Sequence, residues 1–429
     1  MERRIWIFTW LLMLTLSSIS LAEEGIKNVL APPHGIFKNV TAVTEPSGQG
    51  EKLTAVIVEM TRNVRNNKIT KDTFKVEGRK VERIYSNSEE KKATNGKDGR
   101  FIIIELSAEE ESAKLRVQGR GFKMNEPVVK IVQNEEIVMS NGEKYRLLDS
   151  ALSNNKVKRL VVEDFKQLEF KDSKTGVTLK YNLYIPKNYN KNKKYPLVLF
   201  MHDAGVLSED TTSTLRQGNG ATVWASSESQ AKNEAFVLAP QYSVQVVNDK
   251  WEATADLEAT VNLLNDLLKK YSIDSKRLYT TGQSMGGMMS AALNIKYPDL
   301  FAATYLVACQ WDYFTAAPMS KNKVWITVST GDLKAYPGMN AMTTVFEQNG
   351  GVVGKAAWQG NETAEGFNKG VSEILVKNPS ANVYYTTLEK GTIPGVKSMA
   401  NAGGAEHVYT WTVAYNIEGI RDWIFKQKK

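Results

Sequence analysis

The chain has 429 residues with a formal charge of +8, 24% charged and 42% hydrophobic residues, one cysteine and three histidines. That length can bury sizeable cores, and a single cysteine excludes an internal disulfide framework. Lysines are interspersed with acids and no basic stripe is interleaved with aromatics, so a nucleic-acid partner is not expected; weak attraction to an acidic polysaccharide stays open.

The first 22 residues read as a signal peptide: Arg3 and Arg4, then an apolar run from Ile5 to Leu16, then Ser20-Leu21-Ala22 with small residues where a signal peptidase cleaves. The expected localisation is secreted, whether periplasmic or extracellular. The apolar run is shorter than the ~20 residues needed to span a bilayer, and no comparable run follows, so no transmembrane segment is expected in the mature chain.

Residues 23–145 hold short alternating or apolar runs, such as 53–58 and 101–106, separated by polar turns such as Asn95-Gly96-Lys97-Asp98-Gly99. This pattern predicts a small antiparallel β-sandwich. Residues 146–159 are polar and turn-rich and read as a linker. From residue 160 to 429 strands alternate with helices, which predicts an α/β domain with a mostly parallel sheet and helices on both faces. Its opening hairpin is expected over 165–170 and 177–185, followed by strands over 197–201 and 235–240. A helix then places Leu257, Val261, Leu264 and Leu268 on one face.

The next strand runs into Gly282-Gln283-Ser284-Met285-Gly286, and Met288, Met289, Ala292 and Leu293 recur behind it at helical spacing. Strand, G-x-S-x-G turn and helix in this order are the sequence form of a nucleophile elbow, with Ser284 as the nucleophile. A glycine-serine turn without chemistry is the bland alternative. A hydrolytic serine needs a base, and the histidines are His34, His202 and His407. Only His407 follows the nucleophile as the order Ser, Asp, His requires, in a glycine-rich stretch read as a loop before the final helix. Asp332, after the apolar strand at 324–328, is the expected acid. Asp312, after the preceding strand, is the competitor, and a turn or helix cap is the other reading of either aspartate. Cys309 lies within an apolar run and reads as inert. Tyr242, Trp251, Trp311 and Tyr336 fall after strands or near these loops and are candidates for substrate binding, with core or loop anchoring equally weighted.

The α/β half resembles secreted α/β-hydrolase esterases related to polyhydroxybutyrate depolymerases, feruloyl esterases and prolyl-oligopeptidase-like hydrolases. The resemblance rests on Tyr195-Pro196 through His202, Leu238-Ala239-Pro240-Gln241, the stretch from Tyr271 to Leu278, the elbow, His407-Val408-Tyr409-Thr410-Trp411 and Ile420-Arg421-Asp422-Trp423. With its β-rich front, the whole mature chain is similar to EstA-type bacterial esterases, which carry an immunoglobulin-like domain ahead of an α/β-hydrolase fold.

The resemblance implies hydrolysis of a small-molecule or polysaccharide-linked carboxylic ester without cofactor or metal. Ser284, His407 and Asp332 would form the triad, and the backbone N–H groups of Met285 and Ala204 the oxyanion hole. Two positions depart from the family pattern: Asp203 stands where His-Gly-x-Gly has glycine, and Gln283 stands where many relatives have an apolar residue. A prolyl peptidase and a non-catalytic carbohydrate-binding or adhesion protein are the alternative functions. Oligomerisation through the β domain is left open.

Overall fold

The structure is a computed structural model, and it describes residues 35–117, 122–396 and 402–429. The expected signal peptide and His34 lie outside the described residues. The front unit consists of β-sheets. A five-stranded sheet takes the order Lys156–Arg159, Phe37–Ser47, Gly50–Val64, Gly99–Leu106 and Val81–Asn87, and a three-stranded sheet takes the order Phe74–Val76, Lys130–Gln133, Leu152–Ser153. Alternation along the strands sorts the side chains. Val56, Val58, Ile102 and Ile104 join Phe74 and Ile131 in one core, while Ala55, Ile57 and Ile103 join Tyr85 and Phe101 in another.

Residues 146–159 are not the expected linker. They supply two strands of the front unit, at Leu152–Ser153 and Lys156–Arg159. The second pairs in parallel with Phe37–Ser47 from the other end of the unit, the one parallel pairing among the described strands of a sheet expected to be antiparallel. The polar composition misled because this is an edge strand, whose residues stay partly exposed.

The second unit holds nine strands: β1 (Phe165–Lys171), β2 (Thr178–Tyr184), β3 (Tyr195–Met201), β4 (Phe236–Gln241), β5 (Ile273–Gln283), β6 (Ala303–Val307), β7 (Val324–Ser329), β8 (Val353–Trp358) and β9 (Val383–Leu388). They lie in the order β1-β2-β4-β3-β5-β6-β7-β9-β8. The pairings β1–β2 and β2–β4 are antiparallel, and those from β4 onward are parallel.

Both faces of the central strands of this sheet are buried, as a parallel sheet requires. Leu197, Leu199 and Met201 of β3 pack with α1 (Ala255–Lys270), α2 (Met285–Lys296) and α3 (Ala335–Gln348). Val198 and Phe200 point the other way, toward the cluster of α4 (Ala364–Lys377), α5 (Ala402–Ala414) and α6 (Glu418–Phe425). This is the α/β-hydrolase arrangement, preceded by a small β-sandwich. Among the described residues no helix is long and apolar enough to cross a membrane.

Candidate active site

Strand β5 ends at Gln283 and α2 begins at Met285, so the chain reverses direction at Ser284. The reversal puts Ser284 at φ 50° and ψ −120°, a conformation that costs a non-glycine residue of order 1–3 kcal/mol. The elbow's spacing follows from contacts. A Cβ on Gly282 would come within 2.3 Å of the Gly286 carbonyl carbon, and one on Gly286 within 1.9 Å of the Met201 oxygen. Helix α2 therefore starts directly against the end of β3. The N–H of Met285, in the first turn of α2, has no partner within an ideal helix, and the helix dipole places positive potential there.

His407 lies in α5, not in the expected loop. Two glycines suggested a loop, but here they fall in the helix's opening turns, where Gly331 and Leu333 of the neighbouring segment approach closely; a Cβ on Gly403 would meet Leu333 Cδ1 at 3.0 Å. The imidazole Nε2 stands 2.9 Å from Ser284 Oγ, and Nδ1 stands 2.5 Å from Asp332 Oδ2. A carboxylate oxygen accepts, so the proton belongs on Nδ1, leaving Nε2 free to accept from the serine hydroxyl.

Asp332 is 2% exposed. Its Oδ1 accepts from the N–H groups of Lys334 at 3.0 Å and Ala335 at 2.9 Å. Burial raises its pKa, but the hydrogen bond and charge of His407, with those two N–H groups, outweigh burial and hold the carboxyl below its ordinary value. Asp312 does other work: it caps the short turn Tyr313–Thr315 by accepting from Phe314 N–H at 3.1 Å.

His202 is fully buried, and burial pushes its pKa down, so the ring is neutral. Its Nδ1 donates to the Asp203 carbonyl at 2.8 Å and its Nε2 accepts from Tyr242 N–H at 2.9 Å. Ala204 opens the turn Ala204–Val206 just beyond this carbonyl. Cys309 is buried without a disulfide partner, and burial pushes its thiol far up, which leaves it unreactive.

The pocket candidates divide. Tyr242 is 1% exposed and its hydroxyl lies 2.9 Å from Thr260 Oγ1 of α1, so its side chain belongs to the core and not to a cleft. Of the two readings its place after a strand left open, the core one holds. Trp251 and Trp311 pack edge to face at 5.6 Å, with Trp251 36% exposed. Asp249, two residues before Trp251, bonds Lys334 beside the Asp332 turn. Tyr336 is partly buried, and its N–H donates to the Asp332 carbonyl at 3.3 Å.

Two contributors went unread in the sequence. Trp411 packs edge-on against the His407 ring at 5.3 Å. The two are four residues apart, a spacing that would have revealed the contact had α5 been read as beginning before His407. Glu406 is 1% exposed and accepts from Ser329 Oγ and from Gly391 N–H, both at 2.6 Å. It ties α5 to the ends of β7 and β9. No local pattern announces it, since Ser329 is 77 residues away.

Residues 39–146 match the family model described as esterase Ig-like N-terminal domain, and residues 173–359 match the model described as putative esterase. The second match includes Ser284 and Asp332 and stops short of His407. A probable feruloyl esterase C of Aspergillus terreus is 31% identical over 129 residues, 30% of this chain and 45% of that protein. Feruloyl esterase B of Thermothelomyces thermophilus is 27% identical over 173 residues, 36% of this chain and 53% of that protein. The chain thus spans about half the length of these curated relatives. A solved structure of a thermostable esterase superposes with a TM-score of 0.77 at 24% identity, covering 91% of this chain and all of that one, which is a likeness of fold.

Proposed function

We propose, from the matches of residues 39–146 to the esterase Ig-like N-terminal domain and of residues 173–359 to the putative esterase family, that the chain hydrolyses carboxylic esters through an acyl-enzyme on Ser284. The observation that carries this reading is the 2.9 Å approach of His407 Nε2 to the hydroxyl of a serine held at φ 50°. As Ser284 Oγ attacks the ester carbonyl, its proton passes to His407 Nε2. Asp332 keeps the other ring proton on Nδ1 and stabilises the imidazolium. Negative charge developing on the carbonyl oxygen meets the N–H groups of Met285 and Ala204, each contributing about 10²–10³ in rate in comparable sites. The protonated His407 then gives its proton to the leaving alcohol. Water, deprotonated by His407, releases the acid and restores the serine.

The proposed substrates are small or polysaccharide-linked esters with an aromatic or acetyl acid part. The edge-to-face pair Trp251 and Trp311, with one ring still accessible, supports an aromatic group, as does similarity to feruloyl esterases. The N-terminal 22 residues support export before catalysis. The test is hydrolysis of 4-nitrophenyl acetate, methyl ferulate and an aminoacyl-proline anilide, with fluorophosphonate labelling of the same preparation. Ester turnover with label recovered on the Ser284 peptide supports the reading. Turnover of the anilide alone, or label on another peptide, overturns it.

A further inference from the structure

The two positions that depart from the family pattern touch each other. Strands β3 and β5 are parallel neighbours with Met201 level with Gly282, so the residues beyond their ends lie side by side. Gln283 Nε2 donates to Asp203 Oδ2 at 3.1 Å and to Gln217 Oε1 at 3.1 Å. Asp203 Oδ1 accepts from Gly205 N–H at 2.8 Å. All three side chains are buried: Gln283 is 1%, Gln217 4% and Asp203 8% exposed.

These contacts have a direction. A carboxylate can only accept, so Gln283 must turn its amide nitrogen toward Asp203, and Gln217 must then present its oxygen. The remaining ends, Gln283 Oε1 and Gln217 Nε2, have no protein partner. Ala204 sits between the residue that supplies the carboxylate and the residue whose N–H that carboxylate binds. Ser284, with Met285 behind it, follows Gln283 directly.

We infer that Asp203, Gln283 and Gln217 form one positioning unit that holds the oxyanion loop at Ala204 in register with the nucleophile elbow. The inference rests on the ester-hydrolysis reading and deepens it. These side chains do not touch the reacting atoms; they act by fixing the backbone on either side of them. A glycine at 203 would leave the loop its bonds from His202 to the 203 carbonyl and from Gln241 to the Val206 carbonyl, whereas the aspartate also joins it to Gln283 of the elbow. Such a bond matters most when charge develops on the carbonyl oxygen, so its loss lowers kcat more than it changes KM.

The test exchanges the polarity of the pair. Gln283→Glu sets a second acceptor against Asp203, so the bond between loop and elbow fails even though Gln217 can turn its amide over. Asp203→Asn in the same chain restores a donor to the introduced carboxylate, and Gln217 can turn over to present its nitrogen. Rates are expressed per fluorophosphonate-titrated site, so that partial misfolding does not count. Gln283→Glu is expected to lower kcat for 4-nitrophenyl acetate by about 10–100-fold with KM within about threefold, and the double variant to regain most of that loss. Gln283→Met, close in volume and without charge, is the second probe, and a fall in kcat of about tenfold is expected if both bonds are simply removed. Wild-type kcat in Gln283→Glu or in Gln283→Met, or a double variant no better than Gln283→Glu alone, overturns the inference while leaving the hydrolase reading intact. A wild type that takes no label and turns over no ester overturns that reading and this inference with it.

Discussion

Arg216 Nε donates to Glu51 Oε2 at 2.5 Å across the junction of the two units, with side-chain exposures of 8% and 0%. Glu51 also accepts from Thr44 Oγ1 at 2.5 Å, and Arg159 Nε stands 3.4 Å from its other oxygen. The turn just before it is wedged into the hydrolase unit: a Cβ on Gly48 would meet the Thr412 carbonyl oxygen of α5 at 2.4 Å. Removing one charge of such a pair strands the other. Glu51→Ala is therefore expected to destabilise the chain by about 3–5 kcal/mol in urea unfolding, and Glu51→Leu with Arg216→Met to recover much of it. Additive losses in the double variant would show that the two side chains act separately.

Ser284 should separate activity from stability. Ser284→Ala is expected to lower kcat by about 10⁶-fold with little change in melting temperature, because in the proposed mechanism the triad works as a unit and the alanine keeps the strained backbone. Ser284→Gly loses the same activity but relieves that strain, and should be about 1 kcal/mol more stable than the alanine variant. Equal stability of the two would mean that φ 50° is not costly here.

Asp332 gives the fold an acid limb. Its folded carboxyl binds a proton less tightly than the usual Asp value of 3.8, so in acid the unfolded chain takes up more protons than the folded one. The stabilisation is present above about pH 4 and is lost as pH falls through the depressed folded value. Asp332→Asn should flatten this limb in unfolding curves between about pH 2 and pH 5, and lower kcat by about 10⁴-fold by freeing the imidazole to take the other tautomer. An unchanged acid limb would place the stabilising carboxylate elsewhere.

Glu406 holds α5 by two bonds that an amide can also make: a glutamine side chain at this position could donate to Ser329 Oγ and accept from Gly391 N–H. Glu406→Gln is expected to keep most activity. Glu406→Ala takes the acceptor from the buried Ser329 hydroxyl proton and from the half-buried Gly391 N–H, and should cost about 1–3 kcal/mol, with a lower kcat as His407 loses its register to Asp332. The comparison is made by calorimetry and ester kinetics on both variants. Equal losses in the two would assign the effect to charge, not to hydrogen bonding.

Patterns that repeat over a few residues were legible in the chain. The continuous apolar run of β3 and the helical spacing behind Ser284 predict burial, because a strand covered on both faces needs apolar side chains throughout and a helix covered on one face at every third or fourth position. The G-x-S-x-G turn predicts itself, since only glycine fits where α2 meets the end of β3. The contrary cases are all long-range. The strand at Lys156–Arg159 reads as a linker because its partner begins more than 100 residues earlier. Tyr242 reads equally as a pocket or a core residue until α1 is seen to cover it.

The sequence alone determined the two-unit α/β plan and where the sharp turn at Ser284 must fall, because these depend on local backbone sterics and on the period of apolar side chains. Only the tertiary structure decided that His407 rides on a helix, that Glu406 anchors it, and that Asp203 and Gln283 answer one another. Hydrogen bonds between residues about 80 positions apart leave no periodic trace in the chain; they exist only once the sheet has set its strand ends side by side.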